Sequence, residues 1–175
     1  FGYTPLYLRY NTGRHIAHNG QALADLLQTL LAHWPQPVAE IVIVGHSMGG
    51  LVARSACHYG RAAGHTWLDH LRKLVFLGTP HHGAPLERGG HRLDFVMDLS
   101  PYSAPFTQIG KSRSAGIQDL RHGSITRESG DVVPLPDGVR CYAVAATLAE
   151  RRGLVSDRLL GDGLVRYPSA SGQGR

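Results

Sequence analysis

The sequence contains very little cysteine, few large aromatic residues and no long apolar run. Of its 175 residues, two are cysteine, two are tryptophan and four are phenylalanine. So few cysteines exclude a disulfide-stapled scaffold, and Cys57 and Cys141 fit no metal-binding spacing. We predict that both are small buried residues with free thiols. No run approaches the roughly 18 apolar residues of a membrane span, so no integral membrane segment is predicted.

Clustered positive charge is also absent. The net charge is +5, but the basic residues are scattered and few aromatic residues lie among them. A nucleic-acid partner is therefore disfavoured, because binding to a phosphate backbone needs clustered charge. The chain begins with Phe1 rather than Met and shows no signal peptide there. Free thiols favour the cytoplasm, but the sequence leaves localisation and oligomeric state open.

The chain does contain alternating strand and helix patterns over a length that suits one domain. Alanine and leucine at helical spacing predict an amphipathic helix between Ala22 and Leu31. The continuous apolar run from Ile41 to Val44 favours a strand buried on both faces. The predicted elements are a strand at 4–10, a helix at 22–31, a strand at 41–44, a helix at 51–59 and strands at 74–77 and 139–146. This order is typical of an α/β fold with a mostly parallel sheet and crossover helices.

Residues 84–135 differ from the rest of the chain. They are rich in Pro, Gly, Ser and Arg and contain only short apolar clusters. So long a stretch without strong periodicity is usually functional or mobile when it occurs inside a compact domain. We therefore predict a single domain over residues 1–175, with residues 84–135 inserted as a cap over the sheet.

The most informative segment is Gly45-His46-Ser47-Met48-Gly49, which follows a predicted strand and precedes a predicted helix. Glycines on both sides of Ser47 permit a sharp strand-to-helix turn that would expose the hydroxyl above the sheet. A serine nucleophile needs a base and an oxyanion donor. The backbone N–H of Met48, in the first turn of the helix, could serve as that donor. The alternative is an ordinary glycine-rich turn with an exposed serine.

Three histidines lie near this segment or the next predicted turn. His46 is next to Ser47, but adjacent residues on a tight turn point apart, so His46 is a poor candidate for the base. His46 could instead pack or line a pocket, and His81 and His82 could line the mouth of that pocket. Adjacent histidines cannot easily bind one zinc ion, and no third ligand has suitable spacing, so we predict neither a metal nor another cofactor.

Three motifs together resemble the α/β-hydrolase superfamily, in particular its bacterial lipases and esterases. They are Gly45-His46-Ser47-Met48-Gly49-Gly50, Gly78-Thr79-Pro80-His81-His82-Gly83 and Gly161-Asp162-Gly163-Leu164-Val165. The resemblance implies an α/β-hydrolase fold, with helices on both faces of the sheet. It also implies that Ser47 is the nucleophile, Met48 an oxyanion donor and Asp162 the acid of a catalytic triad. Asp157 is the alternative acid.

Two parts of that family's pattern do not appear in the sequence. The catalytic histidine should follow the acid, yet none of residues 163–175 is histidine. The strands that normally precede the one at 4–10, with the loop that supplies the second oxyanion donor, are not found either. We therefore expect a polypeptide truncated at both ends relative to a complete hydrolase, and nearly inactive by itself.

The sequence thus predicts a serine hydrolase that cleaves small-molecule or lipid carboxylic esters through an acyl-enzyme at Ser47. A thioesterase, acyltransferase or amidase on the same fold is one alternative. Another is a non-catalytic hydrolase-like module that binds lipid or protein. Four apolar or aromatic residues of the predicted cap could line an acyl pocket or simply pack within the cap: Phe95, Met97, Tyr102 and Phe106.

Overall fold

The computed structural model of the protein describes residues 2–83, 114–127 and 133–145. Helices and strands alternate along these residues as the sequence predicts. In chain order they are α1 (Ile16–His33), β1 (Ile41–His46), α2 (Met48–Ala62), a 3-10 helix (Thr66–His70), β2 (Leu71–Leu77), α3 (Ala115–His122) and β3 (Arg140–Val144). No helix in this part of the chain is long and apolar enough to cross a membrane.

The three strands form one parallel sheet in the order β1-β2-β3. Val44 of β1 is aligned with Val75 of β2, and Val75 is aligned with Tyr142 of β3. In a parallel sheet all strands end at the same edge, so the turn after β1 and the loop after β2 are neighbours. The α/β fold with a parallel sheet is confirmed.

The two long helices pack against each other and cover one face of the sheet. Gly20 of α1 lies so close to Ser55 of α2 that a Cβ there would be 2.1 Å from the Ser55 hydroxyl oxygen. One apolar cluster joins α2 to the sheet, and a second joins the first turns of α1 and α2 to α3. Cys57 lies buried in the first cluster, as predicted, and Cys141 is half-buried beside it.

The opposite face of the sheet is more exposed than the sequence predicts. The side chain of Val44 is 61% exposed, and those of Tyr142 and Val144 are also exposed. The two long helices, α1 and α2, cover the other face, where their apolar residues pack against β1 and β2.

The prediction of a strand at residues 4–10 is wrong. These residues form neither strand nor helix, and the side chain of Tyr7 is 91% exposed. Tyr3 donates a hydrogen bond to Glu40 near the start of β1, and Tyr10 packs against the core near α2. A strand requires a neighbouring strand for its N–H and C=O groups. Residues 4–10 make no such pairing with β1, despite their β-favouring composition.

Helix α3 caps the N-terminus of α1. The Asp119 carboxylate accepts a hydrogen bond from the backbone N–H of Ile16 at 2.8 Å and lies 3.1 Å from His15 Nδ1. The first N–H groups of a helix have no partner within it, and a carboxylate satisfies one of them and favours the positive end of the helix dipole. Residues 114–127, which belong to the predicted cap, are therefore anchored to the main core.

Replacing Asp119 with alanine should lower the free energy of unfolding by about 1–2 kcal/mol, because α1 loses its cap. Asp119→Asn should recover part of this, since an amide oxygen can still accept from Ile16. Asp25→Ala is the matched control, because Asp25 is 72% exposed and 3.6 Å from His65. Urea unfolding measures all three variants. Equal losses for Asp119→Ala and Asp25→Ala would contradict the capping role.

Candidate active site

Ser47 is the single residue between the end of β1 and the start of α2. Its backbone angles are φ 51° and ψ −122°, and no other non-glycine residue of the described ranges has a positive φ. Such a conformation costs on the order of 1–3 kcal/mol and persists only where the surroundings impose it. Two hydrogen bonds hold the turn: Ser47 N–H donates to the Leu77 carbonyl at 2.9 Å, and Gly50 N–H donates to the Ser47 carbonyl at 3.1 Å.

The glycines around Ser47 are needed because backbone segments approach each other closely. A Cβ on Gly45 would lie 2.6 Å from both the N and the Cα of Gly50, and one on Gly50 would lie 2.1 Å from Thr79 Oγ1. At Gly49 the nearest atom would be the Tyr10 hydroxyl, 3.8 Å away. Gly45 and Gly50 therefore permit the turn, whereas Gly49 has ordinary room for a side chain.

The surroundings of Ser47 suit a reacting hydroxyl. Ser47 is half-buried, so it is not sealed inside the core. Met48 begins α2, and its buried side chain packs with Leu51 and Val52 in the core. Its N–H lies in the first helical turn, where N–H groups lack intrahelical partners and the helix dipole favours negative charge. An oxyanion formed next to Ser47 could accept a hydrogen bond from such a group.

The three candidate histidines differ in their surroundings. His46 and His82 are exposed, whereas His81 is half-buried. The ring of His81 meets the ring of Phe76 edge to face, with centroids 4.7 Å apart. Its Nδ1 lies 3.2 Å from Nη1 of Arg54. Burial, followed by the charges of Arg54 and His82, lowers the pKa of His81 to about 4. His81 is therefore a neutral, packed side chain at pH 7.

The loop after β2 lies against the start of α2. Gly78 N–H donates to the Val144 carbonyl at 2.9 Å, and the fully buried Thr79 fills the space above Gly50. Arg54 fastens the same region from α2, since its Nη2 donates to the Val133 carbonyl at 2.6 Å. The motif Gly78–Gly83 thus packs against the Ser47 turn and supports it.

Several predicted site residues lie outside the described residues. They are Asp162, Asp157, Phe95, Met97, Tyr102 and Phe106. The described residues hold no group of three or more His, Cys, Asp or Glu side chains placed to bind a metal ion.

The sequence did not indicate that Arg54, Thr79 and Tyr10 pack around the Ser47 turn. Tyr10 packs against the core beside the first turn of α2, and burial raises the pKa of its hydroxyl. Thr79 could have been noticed within the Gly78–Gly83 motif. Arg54 gave no local signal, because an arginine one turn beyond an apolar helix start usually faces solvent.

A strained serine between a parallel strand and a helix, supported by close glycines, defines the α/β-hydrolase class of fold. Comparison with known families agrees, since residues 8–154 match the PGAP1-like alpha/beta domain. The chain belongs to that family.

Two solved structures share the fold, both of the Bacillus licheniformis lipase BlEst2. The propeptide form is 20% identical, with a TM-score of 0.55, and the match covers 90% of this chain and 34% of that one. The mature form is also 20% identical, with a TM-score of 0.51, and the match covers 90% of this chain and 64% of that one. The chain therefore spans about a third of the propeptide form and about two-thirds of the mature form. No curated protein sequence matches it.

Proposed function

We propose that the protein is a serine hydrolase of the lipase and esterase type, which cleaves carboxylic esters through an acyl-enzyme at Ser47. The observation that carries this proposal is the conformation of Ser47, a non-glycine residue held at a φ of 51° between β1 and α2. Strain of this kind is concentrated at functional sites. A serine that served only to link a strand to a helix would gain nothing from it.

In the proposed reaction, the Ser47 hydroxyl oxygen attacks the ester carbonyl carbon while a histidine base takes its proton. The carbonyl oxygen becomes an oxyanion and accepts a hydrogen bond from Met48 N–H. The C–O bond to the alcohol then breaks, and the protonated histidine returns its proton to the leaving alcohol. Water repeats the sequence on the acyl-enzyme and releases the acid. Asp162 is the proposed carboxylate that orients the histidine.

Ester substrates are the favoured class because the structural relatives are lipases by name and the resemblance is to lipases and esterases. The proposed cap, residues 84–135, would contribute the acyl pocket, with Phe95, Met97, Tyr102 and Phe106 as lining residues. None of the residues that follow Asp162 in this sequence is histidine, so the histidine base of the proposed reaction has no candidate at its usual place after the acid. The 175-residue chain by itself should then show almost no turnover.

The test uses the full-length gene product with a panel of activated esters, thioesters and amides, together with a fluorophosphonate label. We expect esters to be the best substrates, and peptide mapping should find the label on Ser47. Preference for thioesters or amides would overturn the assignment of esters as substrates but would leave Ser47 as the proposed nucleophile. A folded protein without turnover or label would favour a non-catalytic binding module and overturn the proposal.

Asp162→Asn in the same protein should lower kcat on the order of 10⁴-fold, because the histidine loses the partner that holds its tautomer. Asp157→Asn is the matched control and should change kcat little. The reverse order would move the acid role to Asp157. Initial rates at saturating substrate measure both variants.

A further inference from the structure

Arg54 is a half-buried cation without a carboxylate partner among the described residues. Burial lowers the pKa of its guanidinium, and its Nε–H is buried with no acceptor within the described ranges. Its two hydrogen-bonding partners are both neutral, the imidazole of His81 and the carbonyl of Val133. Burying even part of a charged group without an opposite charge beside it costs free energy, so stability alone does not explain the position of Arg54.

The guanidinium connects three separate parts of the chain. Arg54 itself lies on α2, His81 lies on the loop that follows β2, and Val133 lies on the segment that leads to β3. Val133 packs in the same apolar cluster as Met48 and Leu51. Arg54 therefore contacts two segments that pack against the residues around the Ser47 turn.

The contact with His81 also determines where the histidine carries its proton. A guanidinium can only donate hydrogen bonds, so Nδ1 of His81 must accept and its proton must lie on Nε2. The charged or titratable groups that act on His81 within the described residues are Arg54 and His82. Phe76, on the other side of the ring, is apolar.

The loop that holds His81 is packed directly on the turn of the nucleophile. Thr79, two residues before His81, fills the space above Gly50, and its hydroxyl lies 3.5 Å from the Gly45 carbonyl. His81 N–H donates to the Thr79 carbonyl at 3.0 Å. A displacement of His81 would therefore move Thr79 and loosen the close packing around Ser47.

We propose that Arg54 is a positioning residue of the site: it donates to Nδ1 of His81 and so fixes the Nε2–H tautomer, and through His81 it keeps Thr79 packed on Gly50 and Ser47 in its strained conformation. The proposal deepens the proposed function, on which its relevance to catalysis rests. Its test includes readouts that need no activity.

The first readout is ¹⁵N-histidine NMR, with the His81 signals assigned from their loss in His81→Asn. In the unmodified protein His81 should show the Nε2–H tautomer and stay neutral down to about pH 4. In Arg54→Met its pKa should rise but stay below the ordinary value of about 6.5, because burial is the larger cause and remains. Arg54→Lys, which keeps the charge and a donor, should lie between the two.

The second readout is hydrogen exchange of the Ser47 amide, which donates to Leu77. Arg54→Met should speed this exchange about tenfold, equivalent to about 1.4 kcal/mol of local opening. In the full-length gene product it should slow fluorophosphonate labelling of Ser47 by a similar factor. Arg61→Met is the control: Arg61 lies on the same helix, is 55% exposed and pairs with Asp137. It should change neither readout.

Each outcome decides one part of the proposal. An unchanged tautomer and pKa of His81 in a folded Arg54→Met or Arg54→Lys protein would overturn the role through His81. Unchanged exchange at Ser47 would overturn the positioning of the turn. If the unmodified protein fails to label at Ser47, the proposed function fails. The NMR and exchange results would still test whether Arg54 positions His81 and the Ser47 turn.

Discussion

Replacement of Ser47 with alanine is expected to abolish ester hydrolysis by the full-length gene product, with a loss on the order of 10⁶ in kcat. Alanine keeps the backbone and removes the oxygen that forms the acyl-enzyme. Because the alanine would have to adopt the same positive φ as the serine, the folded structure and its stability should change little. Hydrolysis of an activated ester, with a melting curve for each protein, measures both effects.

Ser47→Gly is the informative companion of this variant. Glycine adopts a positive φ without steric cost, so relief of strain should exceed its entropic penalty and stabilise the fold by about 1 kcal/mol. Activity should be lost as completely as in Ser47→Ala. A gain in stability would show that serine at this position is strained, because glycine differs from it there chiefly in tolerating the positive φ. Residual turnover in both variants at the level of the unmodified protein would refute Ser47 as the nucleophile.

Gly45→Ala should be strongly destabilising and should also disturb the turn that carries Ser47. The new Cβ would lie 2.6 Å from the N and Cα of Gly50. Because both are backbone atoms, the turn itself must move to relieve the clash; no flexible side chain can move instead. We expect a loss of about 2–3 kcal/mol in stability from overpacking. We also expect a loss of about 10² in Ser47 labelling, since a misplacement of about 1 Å can cost that much.

Gly49→Ala is the matched control, four residues away in the same motif. Its Cβ would meet only the Tyr10 hydroxyl at 3.8 Å, and alanine favours a helix over glycine by up to about 1 kcal/mol. This variant should label at the normal rate and be slightly more stable. Equal damage from both substitutions would contradict the close approach of Gly45 to Gly50 as the reason for the glycine.

Local patterns were sufficient for much of the fold. The leucine spacing in residues 22–31 predicts the middle of α1, and the apolar run at Ile41–Val44 predicts β1, because periodicity and burial follow from adjacent residues. The glycine pattern around Ser47 predicts the sharp turn. The structure extends these elements by a few residues, as α1 begins at Ile16 rather than Ala22.

The same reasoning failed at residues 4–10. Their Tyr and Leu content favours a strand, yet a strand exists only where another lies beside it, and that partner is not a property of the local sequence. Val44 shows a related limit. Its apolar character predicts burial on both faces of the sheet, but exposure depends on which elements lie above it.

By itself, the sequence determined the α/β class, the positions of β1, α2 and β2, and Ser47 as the candidate nucleophile, because these depend on short-range periodicity and on steric rules for glycine. Only the tertiary structure decided that Asp119 caps α1, that Thr79 packs on Gly50, and that Arg54 contacts Nδ1 of His81. These pairs are separated by 27 to 103 residues. Their contacts arise from the folding of distant segments onto one core, which no local pattern encodes.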